Sequence, residues 1–165
     1  MSQQDVRVGS GIDIHAFGPG DSVALGGVRV PHARGVVAHS DGDVLLHALV
    51  DALLGAAGLG DIGLHFPDSD PQWQGASSER FVRATLALLA RRGWRVVNAD
   101  LTLLAQLPRI APFRAEIRHN VAQLLELPED AVNLKATTPE YLGFVGREEG
   151  LAGMATVLIR AEAPA

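Results

Sequence analysis

The chain has 165 residues, 47% of them hydrophobic and 20% charged, which is enough for one globular domain with a sizeable core, and residues 1–165 read as a single domain. A formal charge of −5 argues against a nucleic-acid partner, no apolar run is long enough to span a membrane, and the polar start "MSQQDVRV" lacks a signal-peptide core, which points to a cytoplasmic location. With no cysteine there are no disulfides, thiolate metal sites or cysteine nucleophiles.

Residues 6–16 are predicted as a strand. Within "GIDIHAF" (11–17), Ile12, Ile14 and Ala16 alternate with Asp13, His15 and Phe17. An acid and an imidazole on one strand face admit two readings. They are the wet face of an edge strand, or two arms of a metal site whose third arm lies elsewhere. Residues 23–30 read as a hairpin turning at Gly26-Gly27. The pattern then becomes helical, with Ser40 as expected N-cap, Asp43 in the capping-box position, and an end near Ala57 before Gly58 or Gly60. "GDIGLHFPDSDPQWQG" is a long loop of the kind that is often functional. A second helix is expected over 78–92, stopping at Gly93. A strand follows, with Val97, Ala99, Leu101 and Leu103 on its buried face. A third helix (112–125) and two strands (near 131–136 and 151–162) complete the order β, hairpin, α, α, β, α, β, β. This is an α/β (α+β) pattern, a mixed β-sheet with helices packed on it.

In the first helix Asp43, His47 and Asp51 recur every four residues among strongly apolar neighbours. They are either the solvent stripe of an amphipathic helix or part of a buried site. Two imidazoles and one carboxylate with an open fourth position form a catalytic zinc arrangement, and Asp13, His15 and His47 supply that set. Asp51 is then placed to orient the His47 ring. His39 and Ser40 stand at a helix start, where amides favour anions. Asp61, Gly63, Asp68 and Asp70 belong either to a ligand loop or to a polar, capped turn. "LKATTPE" contains Lys135, the one lysine of the chain, with two hydroxyls and Glu140. "GREEG" places Arg147 near a phosphate or in a solvated loop.

Taken together, "GIDIHAF", "AHSDGDVLLHALVDALLGAAGLGDIG", "FPDSDPQWQGA", "VNADLTLLAQLPRI" and "VNLKATTPEYLGFVGREEG" resemble, in order and spacing, the 2-C-methyl-D-erythritol 2,4-cyclodiphosphate synthase family. The resemblance runs over nearly the whole chain. It implies a homotrimer whose sheets meet around the threefold axis and whose active sites lie between chains. It also implies a reaction: the 2-phosphate of 4-diphosphocytidyl-2-C-methyl-D-erythritol 2-phosphate attacks the β-phosphate, CMP leaves and a cyclic diphosphate forms, a step of non-mevalonate isoprenoid synthesis.

Carried over by position, the resemblance makes Asp13, His15 and His47 zinc ligands, with Asp13 and His15 also touching substrate. His39, Ser40, Asp61, Ile62 and Gly63 line the methylerythritol phosphate region, as do Phe66, Pro67, Asp68, Ser69 and Asp70. The cytidine part falls to Ala105, Gln106, Leu107 and Pro108, then Arg109, Ile110 and Ala111, with Ala136, Thr137 and Thr138. Glu140 matches a ligand of a second divalent ion, magnesium or manganese, and His39 and Thr138 match positions that stabilise the transition state. Ile12, Phe144 and Arg147 match an axial cavity that can hold an isoprenoid diphosphate.

Three positions depart from the family pattern. Arg109 replaces a frequent lysine and keeps its charge, Pro139 replaces a hydroxyl residue, and Ile12 replaces a frequent phenylalanine, which counts against isoprenoid binding. Two rival functions are a zinc-dependent phosphohydrolase using the same ligands and a non-catalytic nucleotide-binding trimer.

Overall fold

In a computed structural model, which describes residues 5–162, the predicted alternation becomes β1 (Val6–Gly18). A two-stranded ribbon follows, β2 (Ser22–Leu25) and β3 (Val28–Pro31), then the short β4 (Gly35–Val36). Helices α1 (Val44–Ala57), α2 (Ile62–His65) and α3 (Ser78–Arg91) precede β5 (Trp94–Leu104). The chain ends in α4 (Arg114–Leu124), β6 (Val132–Thr137), the one-turn α5 (Gly143–Gly146) and β7 (Gly150–Ala161). The main sheet has the order β4-β1-β7-β5-β6, with β5 and β6 parallel and the other pairs antiparallel. β1 is therefore an internal strand, flanked by β4 and β7.

The ribbon turns at Gly26 and Gly27, whose φ values of 59° and 80° are those of a two-residue hairpin turn that only glycine enters freely. Helix α1 lies almost directly on the sheet. A Cβ added at Gly11 would sit 2.0 Å from the Ala48 carbonyl oxygen, and one at Gly9 2.0 Å from that of Ala52. Small residues on strand and helix thus set the helix-to-sheet distance. Every α1 residue except Asp51 and Gly55 is buried. Helices α1, α3 and α4 share one face of the sheet, while Val6, Val8, Ile12, Ile14 and Met154 on the other face are exposed.

Two local expectations are corrected. The N-cap of α1 is Asp43 and not Ser40: its carboxylate accepts from the Leu45 and Leu46 N–H groups and, across the fold, from Gly26 and Gly27. A fully buried cap that grips the hairpin turn cannot belong to a solvent stripe. In β5 the register shifts between Val96 and Asn98, so Val96 and not Val97 joins Ala99, Leu101 and Leu103 in the core. The long loop also contains structure, with α2 and a single 3-10 turn at Pro71–Trp73.

Candidate functional site

Asp13 and His15 project from the inward face of β1, and His47 stands in the first turn of α1 above them. The distances are 3.0 Å from His15 Nε2 to Asp13 Oδ2, 3.2 Å from His47 Nδ1 to the same oxygen, and 3.3 Å between the two ring nitrogens. Ligands at tetrahedral zinc distances lie about 3.3 Å apart, so the triangle has the right size for one ion. Its chemistry also fits. His15 Nδ1 lies 3.2 Å from the Val37 carbonyl oxygen, a contact that requires an N–H there and makes Nε2 the lone-pair nitrogen of the neutral ring. In that state Nε2 and the carboxylate oxygen are two acceptors that must share a proton or a cation.

Electrostatics reflects this crowding. Burial pushes the Asp13 carboxyl up, but hydrogen bonds and charge from His15 and His47 outweigh it and hold the group well below the ordinary carboxylate range. The same Asp13 contact, against some opposition from burial, raises the His15 ring above its usual value.

The far side of the His47 ring is fully engaged. Nε2 lies 2.9 Å from Ser78 Oγ and 3.2 Å from Ser40 Oγ, and Ser78 Oγ in turn donates to Asp41. Asp51, expected to orient the ring, instead accepts the Ile62 N–H at 2.7 Å and anchors the start of α2. Ser78 and Asp41 were not picked out from the sequence. Ser78 lies 31 residues from His47 on another helix, and only the clue of a polar residue at a helix start was available.

Asp13, His15 and His47 open into a hollow of about 780 Å³ that also presents His39, Ser40, Ile62, Gly63, Phe66, Pro67, Asp68 and Ser69. Two further expected residues serve the loop itself: Asp61 Oδ1 caps α2 at the Leu64 N–H, and Asp70 Oδ1 caps the Pro71–Trp73 turn at the Gln72 N–H. Phe66, Trp73 and Phe81 pack with ring centroids 5.1 to 5.4 Å apart and form the floor, with His47 5.8 Å from Phe81. Trp73 and Phe81 line the hollow without having been expected there. His39 is exposed and lies 3.9 Å from Asp68.

A second hollow, about 170 Å³, lies at the ends of β5 and β6. Ala105, Pro108, Arg109, Ile110 and Ala111 meet Ala136, Thr137 and Thr138 there. Gln106 is buried, and its Oε1 accepts the Tyr141 N–H at 3.1 Å. This bond helps to hold a turn in which Glu140 and Tyr141 both have positive φ, 54° and 63°. Thr138 Oγ1 donates to Glu140 Oε1 at 3.1 Å, while Leu107 is partly exposed. Lys135 is not part of this hollow; it pairs with Asp100 on the outward face of the sheet. Phe144 lies on α5, and Arg147 just after it donates to Glu149. The two hollows have no lining residue in common.

Comparison with known proteins shows the family. The YgbB family model matches residues 6–160. The chain is 58% identical to the 2-C-methyl-D-erythritol 2,4-cyclodiphosphate synthase of Xylella fastidiosa over 96% of its length and 90% of the relative's. It is 56% identical to the synthase of Pseudomonas aeruginosa over 94% and 99%. A solved Plasmodium falciparum structure, described as IspF in complex with CDP, superposes with a TM-score of 0.84 at 32% identity, over 98% of this chain and all of that one. With its fold, its Asp-His-His triad and nearly its whole length accounted for, the chain belongs to the 2-C-methyl-D-erythritol 2,4-cyclodiphosphate synthase family.

Proposed function

We propose that this chain, acting as one domain, performs the ring closure for which its family is named. It converts 4-diphosphocytidyl-2-C-methyl-D-erythritol 2-phosphate to the 2,4-cyclodiphosphate with loss of CMP. The observation that carries this reading is the convergence of His15 Nε2, His47 Nδ1 and Asp13 Oδ2 at one side of a hollow also lined by the segment before α1, the Phe66–Ser69 loop and the aromatic rings of Trp73 and Phe81. Attack of one phosphate on another needs positioning and charge neutralisation more than a protein nucleophile. Zinc on Asp13, His15 and His47 would supply a Lewis acid at the β-phosphate, and magnesium or manganese near Glu140 would neutralise the diphosphate.

The chain's own residues have separate tasks in this reading. His39 and Ser40 hold the methylerythritol phosphate end, with Ile62, Gly63 and the Phe66–Ser69 segment closing round it. Asp61 and Asp70 keep that segment in shape through their caps. Segment 105–111 and Ala136–Thr138 receive the cytidine, and His39 and Thr138 stabilise charge in the transition state. The two hollows are separate in one chain, and the outward sheet face is apolar at Val6, Val8, Ile12, Ile14 and Met154. Both facts support a homotrimer in which the zinc hollow of one chain completes the cytidine hollow of its neighbour. None of the described helices is long and apolar enough to cross a membrane. The same reading locates the enzyme in the cytoplasm, where a cysteine-free chain is at home.

Incubation with the diphosphocytidyl substrate, zinc and magnesium, followed by phosphorus NMR, tests the reading. CMP and a cyclic diphosphate are expected. Release of inorganic phosphate would identify a phosphohydrolase, and CDP binding without turnover a nucleotide-binding module.

A further inference from the structure

The hydrogen bonds behind His47 have a direction that can be worked out from their donors. Asp41 accepts the Ser78 N–H at 2.9 Å through Oδ2, and the Asp43 N–H at 3.2 Å and the Ser78 hydroxyl through Oδ1. Asp41 is thus an acceptor from all three. A serine hydroxyl has one proton, and that of Ser78 goes to the carboxylate, so a lone pair faces His47 Nε2 at 2.9 Å. The Ser78 contact is a hydrogen bond only if Nε2 bears a proton, and Ser40 Oγ, 3.2 Å from the same nitrogen, is then a second acceptor. In the neutral ring Nδ1 is then bare and faces Asp13 and His15.

The relay works against a real competitor. Asp13 Oδ2 lies 3.2 Å from Nδ1, and without a cation the carboxylate would draw the proton to that nitrogen. Ser78 is fully buried, so no water competes for its hydroxyl. Asp41 is itself fixed to the chain that leaves the substrate loop: its N–H donates to the Ala76 carbonyl at 3.2 Å, and the Gly75 N–H donates to the His39 carbonyl at 2.8 Å.

We infer that Ser78 and Asp41 are a positioning pair, forming a His47–Ser78–Asp41 relay that keeps the ring proton on Nε2 and presents Nδ1 bare to the metal. The inference rests on His47 being a metal ligand, and it assigns a role to two residues outside the ligand set. Neither touches the ion. Because Asp41 also joins the His39–Asp41 segment to Gly75–Ser78, the relay ties the ligand's orientation to the chain that borders the hollow.

The test uses full-length protein with nitrogen-15-labelled histidine, first metal-free at about pH 8, where an unperturbed imidazole is neutral. In the wild type the His47 signals are expected to show the Nε2–H tautomer. Ser78→Ala removes the nearer acceptor and leaves Ser40 Oγ at 3.2 Å, and Asp41→Asn, with its amide N–H turned toward Ser78 Oγ, makes the hydroxyl donate to Nε2. Both variants should move His47 toward the Nδ1–H tautomer. Both should also lose zinc affinity by about 10- to 100-fold in chelator competition, the usual cost of an outer partner of a ligand. Ser78→Thr keeps the hydroxyl and should restore both. Thr85→Val removes a fully buried hydroxyl that has no partner in the same helix and should leave affinity unchanged. Should Ser78→Ala fail to fold, Asp41→Asn decides alone, since its remaining oxygen still caps α3. An Nδ1–H tautomer in the wild type overturns the relay, as does wild-type tautomer and affinity in Asp41→Asn. A wild type that shows Nε2–H but binds no zinc would retain the relay and reject the metal reading.

Discussion

On one face of β1, Gly9, Gly11, Asp13 and His15 lie beneath α1. On the other, Val6, Val8, Ile12 and Ile14 are between 51% and 65% exposed. In most half-buried strands the apolar set faces inward, and here the order is reversed. The inner face is built for closeness. Glycines admit the helix backbone to contact distance, and that approach brings His47 to Asp13 and His15. The outer face has the side chains that would otherwise fill a core, in a patch that suits a protein partner. One strand therefore serves two purposes, each face giving up what the other needs.

The largest expected effect breaks the inner face chemically. His47→Ala removes one of three ligands, and turnover should fall about a thousandfold or more, equivalent to about 4 kcal/mol of barrier. Metal analysis of the purified variant should show the zinc gone, and retained zinc with normal activity would refute the ligand assignment. Next comes the inner face's shape. Gly11→Ala puts a methyl on the Ala48 carbonyl oxygen and should cost about 3 kcal/mol or more in denaturant unfolding, whereas Ile12→Ala, one residue away on the outer face, should barely change the isolated fold. Equal losses at the two positions would erase the contrast between the faces.

The outer face is tested by Ile14→Asp. In the proposed trimer three carboxylates would face an apolar interface, which should weaken association by about a hundredfold while leaving the far-ultraviolet spectrum intact. Sedimentation should then show a smaller species, and activity should fall with it if sites are shared between chains. A monomer at full activity would remove the shared-site model. The smallest effect is expected away from β1. Glu140→Gln should raise the magnesium needed for half-maximal rate by about tenfold, with zinc content unchanged. An identical magnesium titration would free Glu140 from that role.

The period of β1 was legible in the sequence, and so was the pairing of Asp13 with His15 on one side. Which side was buried was not, because burial there is achieved by the absence of side chains at Gly9 and Gly11 and not by apolar ones. The stripe Asp43, His47, Asp51 shows a related limit. Spacing of four is shared by a cap, a member of the Asp-His-His cluster and a loop anchor, which Asp43, His47 and Asp51 are in turn. Ser78 was invisible for another reason: its partner is distant in the chain, and a serine opening a helix is ordinary. The bulge near Val97 left no mark on a pattern that alternates well on either side of it. The segments named by the family motifs do line two hollows, since each hollow draws on contiguous runs of the chain.

The position of β7 has a consequence in time. Strand β7 leaves the ribosome after every other described strand, yet it lies between β1 and β5 and pairs Asp13 with Gly153 and Leu101 with Ala155. Until residues 150–161 emerge, the strand that carries Asp13 and His15 has no partner on that side, and the sheet is two unconnected fragments. Such distant pairings are slow to form because the loop must close before any contact repays it. On the proposed metal reading, capture of the ion is therefore a late event in the life of each new chain, and loss of β7 would silence a site whose Asp13, His15 and His47 all lie in the first third of the sequence.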